Sequence, residues 1–332
     1  MKLKPKYFIP FVISAMLLGC SSAKGTEEKI PVTLNEVVHS VFYAPQYAAM
    51  ELGYFEEEGL DITLDVGQGA DKSMTALISK NADIALLGTE AGIYVYNQDK
   101  EDYAVAFAQL TQRAGNFLVS RENTDNFSWE DLKGKSIIGG RTGGMPQMIL
   151  EYVLDQNGID IENDVEMITN ISFETTSGAF SAGTGDYTAE FEPTATALEN
   201  AQKGYVVSSL GEESGYVPYT VYMAQKSYIE ENPEIIQKFT NAIYKGQKWV
   251  NEHTAQEIAE VIQPHFAESD VETLTKIVDR YKKQDTWKEN PVFDEEGFTL
   301  IQDIMEFGGE LSARVPFEDM VNNDFANKAI EQ

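Results

Sequence analysis

Few side chains in this chain of 332 residues are equipped for covalent or metal chemistry, with one cysteine, Cys20, and three histidines, His39, His253 and His265. A lone thiol excludes an internal disulfide, and it leaves no basis for a Cys-built metal site or thiolate catalysis. His253 and His265 fall in a stretch patterned as helix, away from strand ends, and no Ser-His-Asp spacing or zinc pattern accompanies them. What remains is the chemistry of recognition. The loop Gly139-Gly140-Arg141-Thr142-Gly143-Gly144-Met145-Pro146 leaves a strand and enters a helix with four glycines. Free N–H groups at Gly143, Gly144 and Met145 can therefore approach an anion or a polar ring edge closely. The G-K-[ST] ending of a nucleotide loop is missing. Tyr187 to Pro193 closes a strand with Phe191 and Glu192. A carboxylate there can accept hydrogen bonds from an amino group and a ring N–H, while Phe191 or Tyr187 stacks on the ring.

Further residues bear on the same question. Phe42 and Tyr43 occupy a turn ahead of Pro45, where small polar residues are usual. An aromatic pair so placed covers something, either a ligand or the underside of the following helix. In Gly88-Thr89-Glu90, Thr89 can cap a helix and offer its hydroxyl and amide to a cleft, whereas Glu90 is explained by the helix dipole alone. Tyr219 adds another ring, and His39 reads as a structural hydrogen bonder. Arg141 is the only obvious cation near an expected strand end. Whether His39, Glu90 and Arg141 touch a ligand stays open at this point.

These residues must be positioned by alternating strands and helices. Leu60 to Val66 alternates apolar and polar as a half-buried strand does. Asp71 and Ser73 can cap a helix through Ile78, with Asn81 as a left-handed stop. Strands are expected at 82–87 and 103–110, with a helix opening at Thr89 between them. A capping box at Ser128 to Asp131, a strand at 135–139, a helix at 144–156 ended by Gly158, and strands near 165–169, 187–191 and 205–208 form a second α/β unit. From Asn232 onward the pattern is helical. The order predicts α/β architecture with mostly parallel sheets covered by helices. Gln109 to Ser120 reads as one extended crossing between two lobes and Gly215 to Tyr222 as the return. Residues 30–113 and 220–332 would then form one lobe, with 114–219 inserted as the other. Ligands of such sheets bind beyond the carboxyl ends of the strands, so two facing lobes would enclose one cleft.

The N-terminus carries its own signal. Lys2, Lys4 and Lys6 precede an apolar run from Tyr7 to Leu18 that ends in L-L-G-C. The run is shorter than the ~20 residues a spanning helix needs and reads as an export signal over residues 1–19. Its ending resembles the lipobox of bacterial lipoproteins, which implies lipidation of Cys20 and a polar tether over 20–29. The protein is expected to be exported and lipid-anchored on the extracytoplasmic face of the cell membrane, with sorting to an outer membrane left open. With 25 basic against 54 acidic residues, nucleic acid is excluded as a partner, because phosphate backbones are bound by clustered Lys and Arg. The excess acid is that of a solvated surface. Roughly 310 residues beyond the signal suggest two domains.

The mature start V-F-Y-A-P-Q-Y-A-A-M-E-L-G-Y-F-E-E-E-G-L-D-I, followed by G-Q-G-A-D-K-S-M-T-A-L and N-A-D-I-A-L-L-G, resembles the solute-binding proteins of ABC importers. W-E-D-L-K-G-K-S-I-I-G-G and the E-P of Glu192-Pro193 carry the same likeness. The similarity is greatest to the group that includes thiamine-pyrimidine-precursor, alkanesulfonate and taurine binders. It implies a type II periplasmic-binding fold, closure on one small molecule, and partnership with a permease and its ATPase. It further implies a monomer without catalysis or cofactor and ligand contacts at Phe42 and Tyr43. The aromatic and acidic candidates favour a neutral or cationic nitrogen heterocycle over an organic anion held by Gly143-Gly144 and Arg141. A sensing lipoprotein without a permease is the remaining alternative. Enzymes resembling this group carry a cysteine-rich segment, which is missing here.

Overall fold

The computed structural model describes Met1, residues 29–124 and residues 126–331. The expected export signal, Cys20 and the tether up to residue 28 lie outside the described residues. Ten strands occur in chain order: β1 (Ile30–Glu36), β2 (Leu60–Val66), β3 (Ile84–Gly88), β4 (Ala104–Gln109) and β5 (Asn116–Ser120), then β6 (Lys135–Ile138), β7 (Val165–Ile168), β8 (Tyr187–Phe191), β9 (Tyr205–Ser209) and β10 (Thr220–Gln225). They form two five-stranded sheets, ordered β2-β1-β3-β10-β4 and β7-β6-β8-β5-β9. The sheets share one plan. In each, a strand from a crossing (β10 or β5) runs antiparallel between neighbours, while the first three strands are parallel. The chain thus leaves the first sheet after β4 and re-enters it as β10.

Burial explains the patterns. β3, β5 and β10 are buried at every residue, as central strands covered on both faces must be; β4 at the sheet edge is buried too, its outer side bridged by Val321 at Ala106. The edge strand β2 keeps exposed alternate positions. Gln109 to Ser120, expected as a single extended crossing, is instead the end of β4, a turn, and β5, because Asn116–Ser120 finds partners in β8 and β9. Only the last residues of the expected return segment enter β10. Around Asp71 the helix Ala70–Ile78 is preceded by Gly69 and has no side-chain cap. Lys80, not Asn81, takes the left-handed conformation after it, with φ 61°. The capping box at Ser128 and Asp131 does form.

The helical C-terminal region packs on both lobes. Phe239 of the helix Pro233–Glu252 joins Phe55, Phe107 and Tyr222 in the core of the first lobe. At the end of the helix Val271–Lys283 the chain reaches the second lobe. Tyr281 donates its hydroxyl to Gly115 O (2.9 Å) and accepts the Glu192 N–H (3.2 Å), and Gln284 Nε2 donates to Ala114 O (2.8 Å). The helix Glu295–Phe307 meets the helix Met145–Gln156 through Phe307 and Tyr152. No helix among the described residues is long and apolar enough to cross a membrane.

Candidate ligand cleft

The carboxyl ends of β1, β3, β6 and β8 converge on a cavity of about 80 Å³ between the lobes. That is several times the ~10–15 Å³ that one water occupies. From the first lobe come Val37, Val38 and Tyr43 after β1, Gly69 and Ala70 after β2, Gly88 and Glu90 at the end of β3, and Tyr219 and Thr220 where β10 begins. The second lobe supplies Gly140, Arg141, Gly144, Met145 and Pro146, with Phe173 and Phe191. Gly140 and Gly143 both take left-handed φ values, 92° and 74°, so glycine is what lets this loop turn toward the helix.

Several expected residues meet here. Tyr43, Gly88, Gly144, Met145, Phe191 and Tyr219 all line the cavity. Phe42 stands behind them, fully buried, with its ring centroid 5.4 Å from Tyr43, 5.7 Å from Phe191, 5.7 Å from Tyr219 and 5.5 Å from Tyr281. The aromatic turn therefore divides its work: Tyr43 faces the cavity and Phe42 carries the wall.

Other expected residues lie elsewhere for identifiable reasons. Thr89 is buried and donates its hydroxyl to Pro218 O (2.6 Å), tying its helix to the return segment. Gly143 turns outward, giving its N–H to Gln147 Oε1 (3.0 Å) and its carbonyl to the Tyr94 hydroxyl (3.0 Å). Tyr187 packs toward Phe127. The carboxylate of Glu192, expected to receive a ligand's amino group, is already occupied. It accepts Thr196 N–H and Thr196 Oγ1, both at 2.9 Å, as the acceptor for the helix Thr194–Asn200, and it pairs with Arg280. His39 is set back from the cavity, with Nδ1 2.7 Å from Glu36 and Nε2 2.9 Å from His265 O.

The carboxylate that does face the cavity is Glu90. It is 2% exposed, and its Oε2 makes no hydrogen bond among the described residues. Burial pushes its carboxyl up to about 7, opposed by its own N–H, the charge of Arg141, the Ala91 N–H and the Met145 N–H from the opposite lobe. The side chain folds back over Gly88, where a Cβ would stand 2.0 Å from Oε2. Gly88 is thus what makes room for the acid. The Tyr219 hydroxyl, also buried, likewise lacks a partner, and burial with the Glu90 charge raises its pKa. The legible trace of this arrangement was a glutamate two residues past a buried strand that ends in glycine.

At the mouth, the first turn of the helix Ala70–Ile78 makes two ion pairs of opposite polarity across the lobes. Asp71 lies 3.5 Å from Arg141, and Lys72 lies 3.6 Å from Glu174. An aromatic box with one unsatisfied carboxylate oxygen can hold a flat apolar body that presents a hydrogen-bond donor or a positive charge. No group of three or more metal-ligating side chains assembles among the described residues.

Comparison with known proteins agrees with this architecture. A model of the family described as NMT1/THI5 like matches residues 41–257. YtlA of Bacillus subtilis (strain 168), a protein named for an unproven binding role, is 44% identical over 317 residues, covering 96% of this chain and 95% of that one. The formylaminopyrimidine-binding protein of Halalkalibacterium halodurans is 23% identical over 294 residues, 77% of this chain and 86% of its own. Among solved structures, the alkanesulfonate-binding protein of Xanthomonas axonopodis pv. citri bound to MOPS superposes with a TM-score of 0.71 at 14% identity, covering 89% of this chain and 99% of that one. At that identity the last likeness bears on fold alone.

Proposed function

Because this chain belongs to the NMT1/THI5-like family, we propose that it is the extracytoplasmic solute-binding component of an ABC importer. It captures a small, flat nitrogen heterocycle, neutral or cationic, between its lobes and hands it to a permease driven by an ATPase. Its role is binding, not catalysis; it acts as a monomer held to the membrane by a lipid on Cys20. A thiamine-precursor-like pyrimidine is the favoured cargo, in keeping with the formylaminopyrimidine named for one relative.

The observation that carries the ligand class is the buried Glu90 carboxylate with a free oxygen, set among Tyr43, Phe191 and Tyr219. An aminopyrimidine can place a ring between aromatic faces and donate an amino hydrogen to that oxygen. An organic anion would instead meet a carboxylate, and the cleft's cation, Arg141, is already drawn to Asp71. Closure requires the ligand to bind the closed arrangement better than the open one. Contacts from Tyr43 and Glu90 on one lobe and Met145 and Phe191 on the other provide that difference. Calorimetric titration with an aminopyrimidine panel and an alkanesulfonate panel tests the assignment: saturable binding of pyrimidines alone supports it, and binding of sulfonates alone overturns it.

A further inference from the structure

We propose that Glu90 is a built-in anion, its carboxylate standing where an anionic solute would dock at the start of the helix Met145–Gln156, so that the cleft rejects organic anions. The inference rests on the interlobe cavity being the solute site. Three observations carry it. The helix is 12 residues long, its N-cap is Gly144, and neither a capping side chain nor an acidic residue in its first turn comes from its own lobe. Such an end carries partial positive charge that attracts anions; Pro146 has no N–H, the Gly144 N–H is given to Arg141 O and the Gln147 and Met148 N–H groups to Gly144 O, which leaves the Met145 N–H for an anion. Negative charge arrives from the other lobe. Glu90, 2% exposed, lines the same cavity as Gly144 and Met145, and its Oε2 has no hydrogen-bond partner among the described residues. Finally, Gly88 leaves the space in which that carboxylate lies, so the placement is supported by the backbone beneath it.

A second anion entering the cavity would be forced against this carboxylate in a poorly solvated site, where like charges disfavour one another strongly. Neutral donors and cations escape that penalty. Removing the charge should therefore convert an anion-rejecting cleft into one that accepts anions at the freed helix start.

The test uses the exported protein without its signal, at pH 8, titrated with ethanesulfonate and with 4-amino-5-hydroxymethyl-2-methylpyrimidine. Wild type, Glu90→Gln and Glu90→Ala are compared, with thermal unfolding as the check on folding. Wild type is expected to show no saturable ethanesulfonate binding, and both variants to gain at least tenfold in affinity for it. Equal ethanesulfonate binding by all three proteins overturns the proposal, as does no gain in folded Glu90→Gln, whose near-identical shape keeps the test valid if the alanine variant unfolds. The cargo assignment fails separately. Variants that gain ethanesulfonate while wild type ignores the pyrimidine retain the built-in anion and remove the heterocycle. Pyrimidine binding by wild type with no gain in the variants does the reverse.

Discussion

Replacing Glu90 with Gln should make the protein more stable at alkaline pH, and the size of the gain follows from burial. In the unfolded chain this carboxyl titrates near 4.5, and in the folded protein it is pushed up to about 7. Between those values the folded state holds a proton that the unfolded state has released. The contribution of Glu90 is therefore fully present below pH 4.5 and is lost as pH rises through 7. At about 1.4 kcal/mol per pKa unit the loss amounts to roughly 3 kcal/mol by pH 8, which glutamine does not suffer. For a chain of this size that corresponds to about 6 °C in thermal midpoint. Scanning calorimetry of wild type and Glu90→Gln at intervals from pH 4.5 to 8 should give curves that start together and diverge, with the variant higher. Glu190, also pushed up to about 7 by burial, with the hydroxyls of Thr188 and Thr176 opposing the shift, is present in both proteins and cancels. Midpoints that run parallel across the range, or a variant less stable at pH 8, would refute the placement of Glu90 as a buried carboxyl.

Other consequences concern the elements around that acid. Gly88→Ala places a Cβ 2.0 Å from Glu90 Oε2, so the carboxylate must swing into the cavity. Pyrimidine affinity should fall about tenfold, with a stability loss of about 1–3 kcal/mol from overpacking, measured by titration and calorimetry. Arg280→Ala strips the partner from buried Glu192 and from Glu199; chemical unfolding should show a loss of about 3 kcal/mol, partly restored by lysine. Neutralising Asp71 and Lys72 together (D71N with K72Q) removes both ion pairs at the mouth. Exposed pairs are worth at most about 1 kcal/mol each, so stopped-flow dissociation should quicken several-fold, thermal stability should hardly change, and high salt should erase the difference.

Much of the architecture was legible because local patterns and tertiary demands coincide. Leu60–Val66 alternates and is an edge strand, and Tyr187–Phe191 has the bounds its pattern predicts. The crossing strands were harder. Asn116–Ser120 and Thr220–Gln225 are buried on both faces, so they show no alternation, and only pairing with strands distant in sequence distinguishes them from extended linkers. The site was legible by region more than by residue. Glu90 and Glu192 follow β3 and β8, which hold matching places in the two sheets, and the chain offers no local reason to prefer either. Arg280, 88 residues beyond Glu192, decides the matter by claiming that carboxylate, while Gly88 leaves the other facing the cavity. Long-range partners of this kind leave no periodicity to read.

The central claim is that the lobes close on a flat nitrogen heterocycle held by Glu90 between aromatic walls. Mass spectrometry of the small molecule released by heating protein purified without added ligand tests it most directly. The account predicts a heteroaromatic amine or a related neutral or cationic ring compound, retained by wild type and diminished in Glu90→Ala. Release of a sulfonate or another organic anion from the wild-type protein would contradict it.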